Sequence, residues 1–187
     1  MPLGLVTPLP IEGSHMKTVI EERTANGRGQ GVFALGSFSK GDILYVGVLD
    51  DSPIANHSHA SQISKTRFGF HKGLGSKFNH SCDPNCGIAL NESGGHDIVA
   101  MRDIAVEDEA TYDYAMRNYR IEHFAGPCGC GHANCRGSIT GWKDLPQQRK
   151  QDYAGFVAPY LIEMDVEDTA AAREERAYAG FASQTSA

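Results

Sequence analysis

Between Lys17 and Lys143 the chain is patterned as short runs of β-branched and aromatic residues. Lys17–Glu22 (KTVIEE), Gly31–Leu35 (GVFAL), Asp42–Leu49 (DILYVGVL), Thr66–His71 (TRFGFH), Gly87–Leu90 (GIAL), His96–Arg102 (HDIVAMR) and Ala110–Tyr114 (ATYDY) each read as a strand. Clusters of Gly, Pro, Asn and Ser separate them, and Ser39–Asp42 is one such turn. No helix of a dozen residues is visible before Asp144. This spacing predicts several small antiparallel sheets rather than a parallel α/β sheet. There is no internal repeat.

The period changes after Trp142. Tyr153, Phe156, Val157, Tyr160 and Leu161 recur at helical spacing. Asp144 is the expected N-cap of this helix, and Pro146 suits its first turn. Pro159 is expected to end or kink it near Ala158. A second helix is expected over 170–181 (AAAREERAYAGF), with 182–187 as a frayed tail.

Composition narrows the function classes. The 187 residues suffice for one domain with a core and appendages, and 41% hydrophobic with 21% charged residues indicates a globular chain. A net charge of −6 disfavours direct binding to a phosphate backbone and favours a basic partner such as a Lys-rich peptide. No apolar run is long enough to span a bilayer, and the N-terminus lacks the basic and apolar regions of a signal peptide. Gly13–Met16 (GSHM) reads as the scar of an expression vector, so residues 1–15 are expected to be a leader outside the functional unit.

Three stretches carry candidate chemistry. Gly27–Ala34 (GRGQGVFA) is followed by a strand, so it is neither a dinucleotide fingerprint nor a P-loop; it is a glycine-rich hairpin, or a loop whose backbone approaches a ligand closely. Cys128, Cys130 and Cys135 lie within Cys128–Cys135 (CGCGHANC), a spacing that suits a tetrahedral metal, with zinc the default for thiolates. Such a site needs a fourth ligand, for which Cys82, Cys86 and His132 are candidates. Glu109–Tyr114 (EATYDY) would put Tyr112 and Tyr114 on one face of a strand, as a cross-strand aromatic pair or as the wall of a channel. Lys77–Cys86 (KFNHSCDPNC) adds Asn, His, Ser and two further Cys residues.

These stretches, in this order, resemble the SET-domain protein lysine methyltransferases with a post-SET zinc segment. The resemblance covers Lys17 to Lys143, and the helical stretch after Trp142 is similar to the extension of small bacterial members. It implies a mainly β fold of several small sheets with a knot-like crossing, followed by a helical extension. The implied divisions are 16–120 for the SET domain, 121–143 for the post-SET segment and 144–187 for the extension. It further implies S-adenosylmethionine as co-substrate. Gly27, Arg28 and Gly29 would hold its methionine end, Asn79 and His80 would line its pocket mainly through backbone atoms, and Trp142 would cover the adenine. Cys82 would complete a structural zinc site with Cys128, Cys130 and Cys135, which leaves Cys86 as a small buried residue. Tyr114 would be the catalytic tyrosine, also beside the cofactor, and Tyr112 would lie in the lysine channel. Two departures stand out: Glu107-Asp108-Glu109-Ala110 replaces the usual Gly-Glu-Glu-Leu, and Ser76–Ser81 is one residue shorter than the usual form.

The function implied is mono- or dimethylation of a lysine in a histone or another basic protein. A small-molecule methyltransferase on the same scaffold and a catalytically inactive binding module are the alternatives. The expected setting is cytoplasmic or nucleoid-associated, or a host nucleus if the protein is a delivered effector.

Overall fold

The structure is a computed structural model that describes residues 20–25, 27–124 and 126–184, with side chains at all of these except 51–53 and 176–184. The expected leader, the start of the first expected strand at 17–19 and the last residues of the tail lie outside the described residues.

Among the described residues, ten short strands form three sheets. The first has the order β1 (Ile20–Thr24), β2 (Gln30–Ala34), β10 (Glu109–Tyr112), β7 (Asn79–His80). The second is β3 (Ile43–Tyr45), β9 (His96–Ala100), β8 (Cys86–Leu90); the third is β4 (Leu49–Ile54), β6 (Phe68–His71), β5 (Ser61–Gln62). In the first two sheets the period-2 runs became strands because they pack on a shared core that includes Val32, Phe78, Ile88, Ile98 and Tyr112. β9 is buried along its whole length because it is the central strand of its sheet. All pairings are antiparallel except one, β7 with β10, which sets Asn79 beside Thr111 and His80 beside Tyr112. That parallel pair brings the two halves of the candidate site together.

Several expectations need correction. The expected strand 42–49 is two strands with an unpaired stretch at 46–48, where Gly47 passes so close to the His96 backbone that a Cβ there would lie 2.3 Å from its carbonyl oxygen. β10 stops at Tyr112, and Tyr114 opens a 3-10 turn over Tyr114–Met116. Strand alternation therefore does not pair the two tyrosines; a turn brings their rings to 5.3 Å.

The C-terminal helices also begin elsewhere than expected. Asp144 is in a 3-10 turn over Trp142–Asp144 rather than at an N-cap, and α1 covers only Gln147–Asp152 after Pro146. Tyr153, Phe156 and Val157 lie in the connection that follows, where Gly155 takes a φ of +85°. Pro159 starts the long helix α2 (Pro159–Gln184) rather than ending one. A proline has no N–H to lose at the first helical position and its φ is already helical. The helical periodicity was thus produced by residues that reach the same core from a loop and a helix.

A buried polar network ties α2 to the sheets. The His96 backbone N–H donates to His71 Nε2 at 3.0 Å, so His71 carries its proton on Nδ1, 3.1 Å from Ser61 Oγ. His96 Nε2 lies 2.7 Å from the hydroxyl of Tyr160 on α2, and that hydroxyl donates to the Gln62 carbonyl. Burial, and next the nearby Arg117 guanidinium, push His71 down to about 4 against the opposing pull of Asp97. Burial also holds His96 well below its ordinary value, with His71 and Arg117 acting in the same direction.

The unfolded chain protonates these histidines near pH 6.5, about the ordinary value, and the folded chain resists. The unfolded state thus binds more protons as the pH falls, and stability is lost from about 6.5 downward. Urea unfolding at pH 7.5, 6 and 5 is expected to show a falling midpoint, with a shallower fall in His71→Asn. A midpoint independent of pH over this range would refute the assignment.

Candidate active site

The glycine-rich stretch is the hairpin turn between β1 and β2. Gly27 and Gly29 have φ of +74° and +76°, in the left-handed region that favours glycine. Gly31 is required for a different reason: a Cβ there would lie 2.5 Å from Glu109 Oε1 and 2.9 Å from Asn79 Nδ2. This close approach lets Glu109 bind both neighbours. It pairs with the Arg28 guanidinium and accepts from Asn79 Nδ2 at 2.8 Å, while Asn79 Nδ2 also donates to the Gln30 carbonyl at 3.0 Å. Glu109 is therefore an organising residue that the strand pattern concealed.

Tyr114 stands at the end of β10. Its hydroxyl donates to the Phe78 carbonyl at 3.1 Å, and burial raises its pKa, so it stays protonated. Its backbone N–H donates to His80 Nδ1 at 3.3 Å. His80 must then carry its proton on Nε2, which points at Cys82 Sγ at 3.3 Å. Burial pushes His80 down to about 4, outweighing the opposing pull of Asp113, so the ring is neutral near pH 7. Asp113, wholly buried, accepts from both Arg136 terminal nitrogens at 2.6 and 3.1 Å, from the Tyr153 hydroxyl at 3.0 Å and from the Ala115 N–H at 3.1 Å.

The cysteine cluster lies directly behind this turn. The sulfurs of Cys82, Cys128, Cys130 and Cys135 all lie within 4.8 Å of one another. Cys82 Sγ is 3.8 Å from Cys128 Sγ and 4.0 Å from Cys135 Sγ. A tetrahedral zinc with Zn–S bonds of about 2.3 Å places its sulfurs roughly 3.8 Å apart, so the four thiols fit that ion. The His80 Nε2–H aimed at Cys82 is the kind of donor that orients a metal-bound thiolate. Cys86 lies apart in β8, and burial pushes its thiol up to about 12. His132 lies 3.7 Å from Asp83 instead of joining the sulfurs.

Two cavities meet at Tyr114. One of about 340 Å3 is lined by Gly29, Gln30, Ser58, Lys77 and Arg117, among others. The second, about 150 Å3, is lined by His80, Cys128, Gly129, Cys130 and Ile139. Arg28, Asn79, Tyr114 and Phe124 border both. The larger one reaches the size of small-molecule sites, about 300–1,000 Å3. Its polar wall suits an amino-acid tail, and the apolar Phe124 and Ile139 suit a flat base, so the cleft fits S-adenosylmethionine. A larger cleft of about 450 Å3 lies along α2. Four of its charges are paired, Lys150 with Asp165 at 2.7 Å and Lys143 with Asp168 at 3.5 Å.

The structure gathers Arg28, Gly29, Asn79, His80 and Tyr114 around the cleft, but Gly27 does not line it. Tyr112 is packed in the core against Tyr114. Trp142 is placed elsewhere: it is 3% exposed, in the core, with Lys150 Nζ 5.6 Å from its ring centre. Its ring is held there because residues 142–143 bond along 118–119. The aromatic residue on the cleft is Phe124, whose ring lies 5.7 Å from that of Tyr114. Its nearness to Cys128 was the available signal. Arg117, three residues after Tyr114, was also missed; its guanidinium lies 4.6 Å from the Tyr114 ring centre.

Metal analysis is expected to find one zinc per chain, lost in Cys82→Ser and retained in Cys86→Ser. Equal loss in both variants would show that the four-thiol set is misassigned.

Residues 29–115 match the SET domain family model. The H3 lysine-4 specific histone-lysine N-methyltransferase of Saccharomyces cerevisiae is 41% identical over 71 residues, 36% of this chain and 7% of that protein. The H3 lysine-36 specific enzyme of Aspergillus oryzae is 34% identical over 106 residues, 55% of this chain and 11% of that protein. This chain thus spans only a small part of the length of these relatives. The methyltransferase domain of human histone-lysine N-methyltransferase SETMAR is similar in fold, with a TM-score of 0.51 at 18% identity, covering 65% of this chain and 58% of that one. The parallel Asn79–His80 strand and Tyr114 lie within this SET-domain stretch, with the four-thiol cluster behind them, and over that stretch the chain is similar to histone-lysine methyltransferases.

Proposed function

We propose that this protein transfers a methyl group from S-adenosylmethionine to the side-chain amine of a lysine in a histone or another basic protein, and stops mainly at mono- or dimethylation. The observation that carries this reading is the Tyr114 hydroxyl at the junction of two cavities, one polar and one apolar. The names of the relatives support a histone substrate, and the net charge of −6 favours a basic partner.

The cofactor supplies an electrophilic methyl group on a sulfonium. The chain's own residues do the rest by placement. Arg28, Gly29 and Asn79 would hold the amino-acid end, and Phe124 and Ile139 would enclose the base. A free lysine has a pKa of about 10.4, and the ring of Tyr114, backed by Tyr112, favours its neutral form by excluding water. His80 is not available as a base, because Nδ1 accepts from the Tyr114 N–H and Nε2 faces Cys82. The amine proton therefore leaves to water. With its proton committed to the Phe78 carbonyl, the Tyr114 oxygen presents lone pairs that orient the amine and the methyl through weak C–H···O contacts.

Incubation with methyl-labelled cofactor, core histones, cell extract and free amino acids tests the reading. Label in histone or another basic protein is expected; label confined to small molecules, or absent, would overturn it. Tyr114→Phe should retain cofactor binding within a few fold and lose about 2.7–4 kcal/mol of transition-state stabilisation, by analogy with oxyanion donors. That loss should appear in kcat rather than KM, measured by steady-state kinetics on the labelled protein.

The degree of methylation would depend on room beside Tyr114, whose ring the buried Tyr112 backs at 5.3 Å. Each added methyl removes an N–H donor and enlarges the amine. Tyr112→Phe should shift the product toward higher methylation without loss of total transfer. Mass spectrometry of the modified peptide decides the point, and an unchanged product distribution would count against it.

A further inference from the structure

Three cations line the larger cavity: Arg28, Lys77 and Arg117. Arg28 is paired with Glu109, and Lys77 lies 3.5 Å from Glu22 and 2.7 Å from the Gln30 side-chain oxygen. Arg117 differs from both. The residue is 6% exposed, yet among the described residues no carboxylate lies within ion-pair reach of it. Its terminal nitrogens donate to Ser61 Oγ at 3.0 Å and to the Ser58 carbonyl at 3.5 Å, both neutral. Its Nε is buried and has no partner. The guanidinium lies over two aromatic rings, 4.6 Å from Tyr114 and 5.6 Å from Tyr112.

A buried charge without a counter-ion is costly. Stacking on tyrosine offsets only part of that cost. The arrangement would be unfavourable unless an anion arrives from outside. It is also rigid: Ser61 Oγ is itself fixed by His71, whose tautomer is set by the His96 backbone. A planar fork held this way is prepared for a carboxylate. The cavity it faces contains Gly29, where the amino-acid end of the cofactor would lie.

We propose that Arg117 is the anion site of the cleft and binds the α-carboxylate of the cofactor's methionine end. This rests on the methyltransferase reading above and adds to it the group that recognises the tail. No bond is made or broken; the step is the exchange of water for a charged partner. The neutral partners Ser58 and Ser61 leave the positive charge uncancelled for the ligand.

Calorimetric titration tests this with three probes: S-adenosylhomocysteine, its decarboxylated analogue, which keeps the aminopropyl chain, and 5′-methylthioadenosine, which lacks the tail. The unmutated protein should bind S-adenosylhomocysteine at least tenfold more tightly than the decarboxylated analogue. Arg117→Met should lose most of that ratio and keep the affinity for methylthioadenosine within about twofold. Arg117→Lys should retain part of the ratio, and Lys77→Met all of it. A ratio near one in the unmutated protein overturns the proposal without any variant. A ratio preserved in Arg117→Met, or lost in Lys77→Met, overturns it as well. If Arg117→Met fails to fold, Arg117→Lys decides: an unchanged ratio there, with Lys77→Met losing it, moves the site to Lys77. Failure of the folded, unmutated protein to bind any of the three would instead bring down the methyltransferase reading itself.

Discussion

The buried carboxylate of Asp113 is the point on which the turn at Tyr114–Met116 depends. It has no water to solvate it, so every lone pair must be satisfied by the protein. Four groups do this: both terminal nitrogens of Arg136, the Tyr153 hydroxyl and the Ala115 N–H. They come from three separate regions of the chain: the cysteine segment, the connection between α1 and α2, and the turn itself. Deleting one partner of such a buried pair costs about 3–5 kcal/mol, because the other charge is stranded. The geometry of Tyr114, the next residue, is thereby linked to segments that contribute nothing to the cleft directly.

The cysteine cluster reaches the same turn by two routes. One runs from Cys135 to its neighbour Arg136 and on to Asp113. The other runs from Cys82 through the His80 ring to the Tyr114 N–H. A metal held by the four sulfurs would carry no open position, so its effect on chemistry is through position alone. The same segment supplies Cys128, Gly129 and Cys130 to the wall of the smaller cavity. Three of the four sulfurs and part of the cavity wall are therefore one piece of chain.

The legible part of the sequence was the part governed by local rules. The strands of the first two sheets declared themselves because their apolar positions pack on one core, and the thiol spacing declared a metal site because few other uses explain it. The parallel β7–β10 pair, two residues wide, left no periodic signal. Glu109 was hidden because a charged residue at the start of a strand usually faces solvent, and here it ties Arg28 to Asn79. Trp142 was assigned to the ligand by position after the cysteines, yet bonds from 142–143 to 118–119 turn its ring into the core and leave Phe124 on the cleft. Pro159 was read as a terminator because its two helical roles, start and stop, look alike in sequence.

The parallel pairing of Asn79–His80 with Thr111–Tyr112 has a consequence for the order of assembly. The two partners are separated by the whole β8–β9 hairpin, and that hairpin can form from neighbouring residues alone. Pairings across long stretches of chain pay their closure entropy before any contact repays it, and so they come late. The cleft draws on residues near 28, 79, 114, 124 and 139, which places its completion behind that of the sheets. During synthesis the sheets could be largely formed while the cysteine segment is still inside the ribosome. The nascent chain would then be folded in outline before it has any site at which a ligand could act as a template.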